Sequence, residues 1–449
     1  MLKKGHVFYR SQKKDYPVAV RGEGVYLYDG EGKRYLDGSS GCLVTNIGYG
    51  VSSVAEALKD EAMKTGYAHG STFTTEAQEE LAALVTEKAP EGLDYAYFLS
   101  GGTEANETAI SMALQYHMQR GKSSKYKIIG RRLSYHGSSF ATLSVAGNVE
   151  RRKMYSPLLM NFPLIPAPHC YRCYYGLSYP QCGIICAEEL EKTILAEGAD
   201  NVAAFIAEPI IGTSAAASVP PKEYFPRIRD ICSKHDVLLI CDEVLCGYGR
   251  PGSYTAQELW GVTADITTLG KGLGGGYTPM GAVIAHKDIH DVFSANWGKF
   301  YHGYTYQGNP VSCAGAVAVH RYLREEKLFE QVGPKGELLK KSLHAAFSDH
   351  PYVGDIRGIG LLMGLELVLD RSSKESFDPA LSVAEKVRET ALEEGLITYT
   401  GVGPTADIIP RDYIVIGPPF IISEAEIEMM VQKLAVSLEK TLMKLGFAK

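Results

Sequence analysis

What most limits how this chain can fold is an alternation of pattern between about residue 60 and residue 320. Six short apolar runs of strand length, Tyr95–Leu99, Lys127–Gly130, Val202–Ala207, Val237–Cys241, Ala264–Leu269 and Met280–Ala285, are separated by segments of helical character. Strands alternating with helices build a mainly parallel sheet with helices packed over it, so an α/β fold is expected. At 449 residues the chain exceeds what one ordinary core fills, which points to two or three structural units. The expected division is an N-terminal segment, 1–60, of strands and a short helix, a large unit over 61–320, and a small α+β unit over 321–449. The first and last segments together make the smaller domain. His320–Leu328 reads as the end of a long connecting helix. The last helix is well marked: Ser423 and Glu426 make a capping box, and Ile427, Val431, Leu434, Leu438 and Leu442 share one face, which reads as core.

Charge and composition exclude several classes. The net charge of −6 is spread without a basic stripe, which argues against nucleic acid. No apolar run approaches the ~18 residues of a membrane span. The start, Met1–Arg10, is basic but has no apolar stretch of a signal peptide, so an ordered N-terminal arm is expected. Nine cysteines, an odd number scattered along the chain, favour a reducing compartment, and a cytoplasmic location is expected.

Chemistry concentrates where the strand runs end. Lys271 follows Ala264–Leu269 and precedes Gly272, Gly274, Gly275 and Gly276. A lysine is rarely buried unless paired, and the glycines clear room for a flat ligand. An amine held there is placed to attack a carbonyl and form a Schiff base. Asp242 closes the run Val237–Cys241, where carboxylates face the ligand crevice of α/β sheets; such a carboxylate needs a cationic partner. Gly101-Gly102-Thr103 sits between a strand-like run and a helix reaching from Thr103 to Arg120, a strand-to-helix junction that suits an anion. Tyr135, in Tyr135-His136-Gly137, offers a flat face for stacking on a heteroaromatic ring. Taken singly, each also reads as a solvated lysine, a capping carboxylate, a tight turn or a loop aromatic.

In chain order, Gly102-Thr103, Tyr135-His136-Gly137, Glu208-Pro209, Asp242-Glu243-Val244, Lys271 and Thr305 resemble the class III aminotransferases, the pyridoxal-phosphate enzymes of fold type I. The likeness spans nearly the whole chain. It runs from the hairpin-like Gly24–Gly38 through His302–Pro310 to Arg357-Gly358-Ile359-Gly360 and Gly417–Ile422. The resemblance implies a large domain with a mainly parallel seven-stranded sheet covered by helices, beside a smaller α+β domain. It also implies that Lys271 holds pyridoxal 5′-phosphate and moves the substrate proton, while Asp242 pairs with the ring nitrogen. Tyr135, with His136 beside it, and Val244 would flank the ring. Gly102 and Thr103 would hold the phosphate. Glu208 would orient the surroundings of Asp242 or receive an arginine. Thr305 would reach the phosphate of a second subunit, implying a homodimer or a tetramer. The expected activity moves an amino group from a small-molecule amine donor to a 2-oxo acid. An aminomutase, an epimerase or a decarboxylating variant uses the same lysine and aspartate and stays open.

Three departures bear on substrate. Tyr399, after Gly395-Leu396-Ile397-Thr398, stands where many ω-amino-acid relatives carry a carboxylate-gripping arginine. The next arginine is Arg411, beyond what reads as a loop over Thr400–Pro410. Cys42 falls where the family often has a bulky aromatic, suggesting a roomier pocket. Either Arg411 swings in, another residue binds the acid, or the donor has no free carboxylate; a 3-aminobutyryl-CoA-type thioester fits the last case. The basic arm Lys3, Lys4, Arg10, Lys13 and Lys14 would then face anionic phosphates, although such a charge run also reads as a solvated face. Finally, Cys170, Cys173, Cys182 and Cys186 form C-x2-C-x8-C-x3-C after His169. That approaches metal-ligand spacing, and a metal-centred protein is the remote alternative. The interleaved Tyr171, Tyr174, Tyr175 and Tyr179 suit a loop of reduced thiols equally, and no metal is assigned.

Overall fold

The computed structural model describes residues 6–403 and 411–447. Its strands, in chain order, are β1 (Ala19–Glu23), β2 (Tyr26–Asp29), β3 (Arg34–Asp37), β4 (Leu93–Leu99), β5 (Lys127–Arg131), β6 (Leu164–Ile165), β7 (Val202–Ala207), β8 (Leu238–Asp242), β9 (Ile266–Gly270), β10 (Gly281–His286), β11 (Val353–Ile359), β12 (Leu362–Leu367), β13 (Leu396–Ile397), β14 (Tyr399–Gly403) and β15 (Arg411–Ile416).

Seven of them form the central sheet, in the order β4-β10-β9-β8-β7-β5-β6. Strand β10 runs antiparallel to both neighbours, and β5 to β9 are parallel where they pair. Every residue of β7, β8 and β9 is buried, which explains the unbroken apolar runs: a parallel strand covered by helices has no wet face. Because β10 is the only reversed strand, the carboxyl ends of β4, β5, β7, β8 and β9 share one edge. All the residues singled out after the strand runs, from Gly102 to Lys271, emerge there.

The second sheet, β1-β2-β3-β13, joins the two ends of the chain. Strands β2 and β3 form the expected hairpin, closed by Asp29 Oδ1 accepting from the amides of Glu31 and Lys33 at 2.9 Å each. Strand β13 then lies parallel to β3. The third sheet, β11-β12-β15-β14, is antiparallel. Buried side chains from the helices Leu328–Phe347, Val383–Glu393 and Glu424–Lys444 share a core with it. The Ser423–Glu426 capping box forms as read.

Two expectations need correction. The connecting segment is not one helix through Leu328: the helix Pro310–Glu325 stops, Lys327 takes a left-handed φ of 51°, and Leu328–Phe347 begins a second helix. Nor is all of Thr400–Pro410 a loop. Thr400 to Gly403 continue β14, with Gly401 opposite Tyr413 and Gly403 opposite Arg411. Residues 404–410, the side chain of Arg411, and Lys3 and Lys4 lie outside the described residues. No helix among the described residues is long and apolar enough to cross a membrane.

Candidate active site

Lys271 leaves β9 in a left-handed conformation, φ 47°. For a residue with a Cβ this costs roughly 1 kcal/mol, and the surroundings impose it: the Asn46 side-chain amide donates to the Gly272 carbonyl at 3.0 Å. A Cβ on Gly272 would lie 2.9 Å from the same amide nitrogen. Lys271 is half-buried, neither fully solvated nor sealed.

Asp242, at the end of β8, is 3% exposed and gripped on both oxygens. Oδ2 lies 2.7 Å from His136 Nδ1 and accepts from Asn106 Nδ2 at 2.7 Å. Oδ1 accepts from the Val244 amide at 3.0 Å and from Thr268 Oγ1 at 3.4 Å. Asn106 also donates to the His136 carbonyl at 2.8 Å, and its own Oδ1 accepts from Thr268 at 2.8 Å. The ring nitrogen of His136 away from Asp242 is buried with no hydrogen-bond partner among the described residues. Sequence reading missed Asn106 and Thr268. The available signal was an asparagine beside Ala105 and Ala109 on the buried face of a helix, and a threonine pair inside an apolar strand.

Glu208 stands at the end of β7 and is 4% exposed. Its carboxylate accepts from the Tyr135 amide and the Gly212 amide, both at 3.0 Å. Burial pushes its pKa above the usual carboxylate range; the neighbouring His136 pulls it down and the Asp242 charge adds to the rise. The nearby arginine, Arg131, is fully buried and donates to the Glu208 main-chain carbonyl, not to its carboxylate. Glu208 thereby holds the backbone of Tyr135 in place.

The helix Gly102–Gln119 starts at this edge with no side-chain cap at Gly101. A Cβ at Gly101 would meet open space, whereas one at Gly102 would come within 2.5 Å of Val244. Gly137 (φ 139°) brings the Tyr135-His136-Gly137 loop against Thr103: a Cβ there would lie 2.7 Å from the Thr103 hydroxyl. Free amides, a hydroxyl and open space at the start of an 18-residue helix suit a phosphate. A buried carboxylate at the end of β8 and a half-buried lysine just past the end of the neighbouring β9 suit a pyridine ring that carries a proton and an aldehyde. The residues present fit pyridoxal phosphate.

Other residues lie further out. Cys42 is half-buried on a turn where Ser40, Gly41 and Leu43 all have positive φ. Asp37 braces this turn by accepting from the Ser39 and Gly41 amides and, at 2.6 Å, from the Tyr49 hydroxyl. The Tyr399 hydroxyl lies against the Cys42 thiol, and burial together with that thiol pushes it up to about 12. Thr305 is exposed, its carbonyl accepting from the Tyr67 hydroxyl at 3.0 Å. In the arm, Lys14 lies 3.9 Å from Glu389, and Lys13 is exposed. Cys170, Cys173, Cys182 and Cys186 line one small cavity with His169, Tyr174, Tyr175 and Tyr179. Burial and the neighbouring thiols push Cys186 up to about 12, and Cys170 shifts the same way. Among the described residues no group of three or more His, Cys, Asp or Glu is arranged to hold a metal ion.

Comparison with known proteins agrees with this geometry. The profile of the family described as aminotransferase class-III matches residues 8–438. The uncharacterized aminotransferase YodT of Bacillus subtilis is 38% identical over 96% of this chain and 97% of its own length. A putrescine–pyruvate aminotransferase of Pseudomonas aeruginosa is 35% identical over 96% of this chain and 92% of its own. The crystal structure of the omega transaminase from Pseudomonas jessenii in complex with PMP superimposes with a TM-score of 0.89 at 33% identity, covering 97% of this chain and 94% of that one.

Proposed function

The chain belongs to the class III aminotransferases and is a pyridoxal-phosphate-dependent aminotransferase of fold type I, and on that premise we propose that it moves an amino group from a terminal amine or β-amine to a 2-oxo acid, with Lys271 as the residue that carries the cofactor. When bound, pyridoxal phosphate supplies an electrophilic carbonyl and a ring that accepts electrons. Lys271 Nζ anchors it and takes up and returns the proton of the substrate's amine-bearing carbon. Asp242, immobilised by His136, Asn106 and the Val244 amide, keeps the ring nitrogen protonated. Tyr135 and Val244 would flank the ring, while His136 holds Asp242 and Glu208 holds the Tyr135 loop. The amides at Gly102 and Thr103, with the Thr103 hydroxyl, bind the phosphate. Residues 61–320 serve as the cofactor-binding domain, and 1–60 with 321–449 as the smaller one.

The donor we propose carries a masked carboxylate or none: a β-aminoacyl thioester such as 3-aminobutyryl-CoA, or a simple amine, ahead of a free β-amino acid. The observation that carries this is Tyr399, turned onto the Cys42 thiol where an arginine would grip an acid. The relative named for putrescine, a diamine, and for pyruvate lends support. Pyruvate or 2-oxoglutarate is the acceptor.

We further propose a cytoplasmic homodimer or tetramer in which Thr305 completes the partner's phosphate site. Its support is the exposed apolar surface around that loop, where Phe73, Tyr301 and Tyr306 are each at least 60% exposed; patches of this kind mark association sites.

The test is a donor panel of β-alanine, 4-aminobutyrate, 1-phenylethylamine and a β-aminoacyl thioester against both oxo acids. The thioester or the amine should match or exceed the free acids in kcat/KM. Losing a charge-assisted bond costs a free acid roughly 10- to 150-fold. A strong preference for a free ω-amino acid that Arg411→Ala abolishes refutes the donor assignment.

A further inference from the structure

A 2-oxo acid acceptor carries a carboxylate, and some cation must receive it. The structure offers one outside the positions considered so far. Two arginines, Arg151 and Arg152, lie side by side on the short helix Val149–Lys153, and the fold uses them differently. Arg152 is consumed by structure: its Nη1 donates to the carbonyls of Leu143, Ser144 and Ala146 at 2.6, 2.9 and 2.8 Å, tying this helix to the end of the helix Phe140–Val145. The Arg151 amide is capped by Asn148 Oδ1 at 3.1 Å, which fixes where its side chain starts. That side chain lays its guanidinium over the ring of Tyr135, 4.7 Å from the centroid.

Arg151 has no carboxylate partner among the described residues. Its side-chain donors therefore stay available to a ligand while it rests on the aromatic assigned to the cofactor ring. The backbone beneath it is rigid, since the Tyr135 amide is held by Glu208 and the Tyr135 hydroxyl lies 3.1 Å from Ser138 Oγ. Arg151 and Arg10 are also near enough to Tyr399 for its hydroxyl to feel their positive charges, both opposing the upward push of burial and Cys42. The fold thus leaves a guanidinium without a carboxylate partner among the described residues resting on the Tyr135 ring, within electrostatic range of Tyr399. Guanidinium is the natural partner of a carboxylate.

We propose that Arg151 binds the carboxylate of the 2-oxo acid acceptor, which is attached to the reacting carbon, where a terminal-amine or β-amine donor carries none. Arg10 adds charge from the N-terminal arm. This rests on the aminotransferase reading of the same pocket, and it makes Arg151 a specificity-determining residue for the acceptor half of the reaction.

The experiment uses holoenzyme and separates the two half-reactions. Arg151→Gln is compared with wild type for amine uptake from 1-phenylethylamine, which has no carboxylate, and for the return step with pyruvate. Binding of propionate, an unreactive carboxylate, is measured by calorimetry on both proteins. In Arg151→Gln the pyruvate step should lose roughly 10- to 150-fold more kcat/KM than the amine step, mainly through KM, and propionate affinity should fall by a comparable factor. Arg151→Lys should recover part of both losses. Arg152→Gln should lower thermal stability without that selectivity. The proposal is overturned if Arg151→Gln leaves the pyruvate KM and propionate affinity within about 2-fold of wild type, or if both half-reactions fall equally. If wild type takes an amino group from no donor, the aminotransferase reading itself fails, and this proposal with it.

Discussion

A buried carboxylate works on a ligand only if its own donors hold it still. Asp242 has four, and they come from four segments: His136 after β5, Asn106 on the helix Gly102–Gln119, Thr268 within β9, and the Val244 amide just past the end of β8. Asp242→Asn should fold and still retain cofactor, yet lose orders of magnitude in turnover, because a neutral amide no longer holds the ring nitrogen protonated. Steady-state rates check this, and near-normal turnover contradicts it. Asn106→Ala should cost about 1–3 kcal/mol in urea unfolding, since it strips donors from buried oxygens, with a smaller loss of rate than Asp242→Asn. Lys271, Asp242, Thr103 and Tyr135 were legible in the sequence because each sits beside a local landmark, a strand end or a glycine turn. Asn106, Thr268 and Arg151 were not. Their partners are contributed by other strands or turns, and nothing in the neighbouring residues announces the meeting.

Among the elements, the central strands were legible almost to the residue because burial on both faces leaves a continuous apolar signature. Four of them end one residue further than their apolar composition suggests, at Arg131, Asp242, Gly270 and His286. The sheet extends into the residues it presents. Strand β14 was read as loop for the opposite reason. Gly401 lets the backbone approach the Thr213 carbonyl, where a Cβ would sit 2.2 Å away, so closeness rather than apolar alternation defines this strand. The same logic governs the start of the helix at Gly102. Gly102→Ala would drive a methyl group to 2.5 Å from Val244, and the chain should remain folded while cofactor affinity drops. Titrating pyridoxal phosphate into the apo protein measures this, and unchanged affinity contradicts the proposed cradle.

For the whole molecule, two fully buried histidines link stability to pH. Burial holds His117 and His320 at about 4, below the ordinary 6.5. The unfolded chain therefore binds protons that the folded chain refuses, and the stability these histidines contribute, full above about pH 6.5, drains away as pH falls toward 4. Replacing both with glutamine should reduce proton uptake on unfolding by up to two, read as the slope of unfolding free energy against pH; an unaltered slope contradicts this. The joining of the chain's two ends in one small sheet was legible only in outline, because the β3–β13 pairing spans most of the sequence. If Thr305 serves the partner's phosphate, inactive Lys271→Ala and Thr305→Ala chains should partly restore activity when mixed, since one hybrid site then holds both residues intact. A fully active monomer contradicts that assembly. Everything proposed for the pocket depends on Lys271, and the direct test is to reduce the holoenzyme with borohydride, digest it and locate the pyridoxyl group by mass spectrometry. The predicted result is a label on Lys271 alone; a label on any other lysine contradicts it.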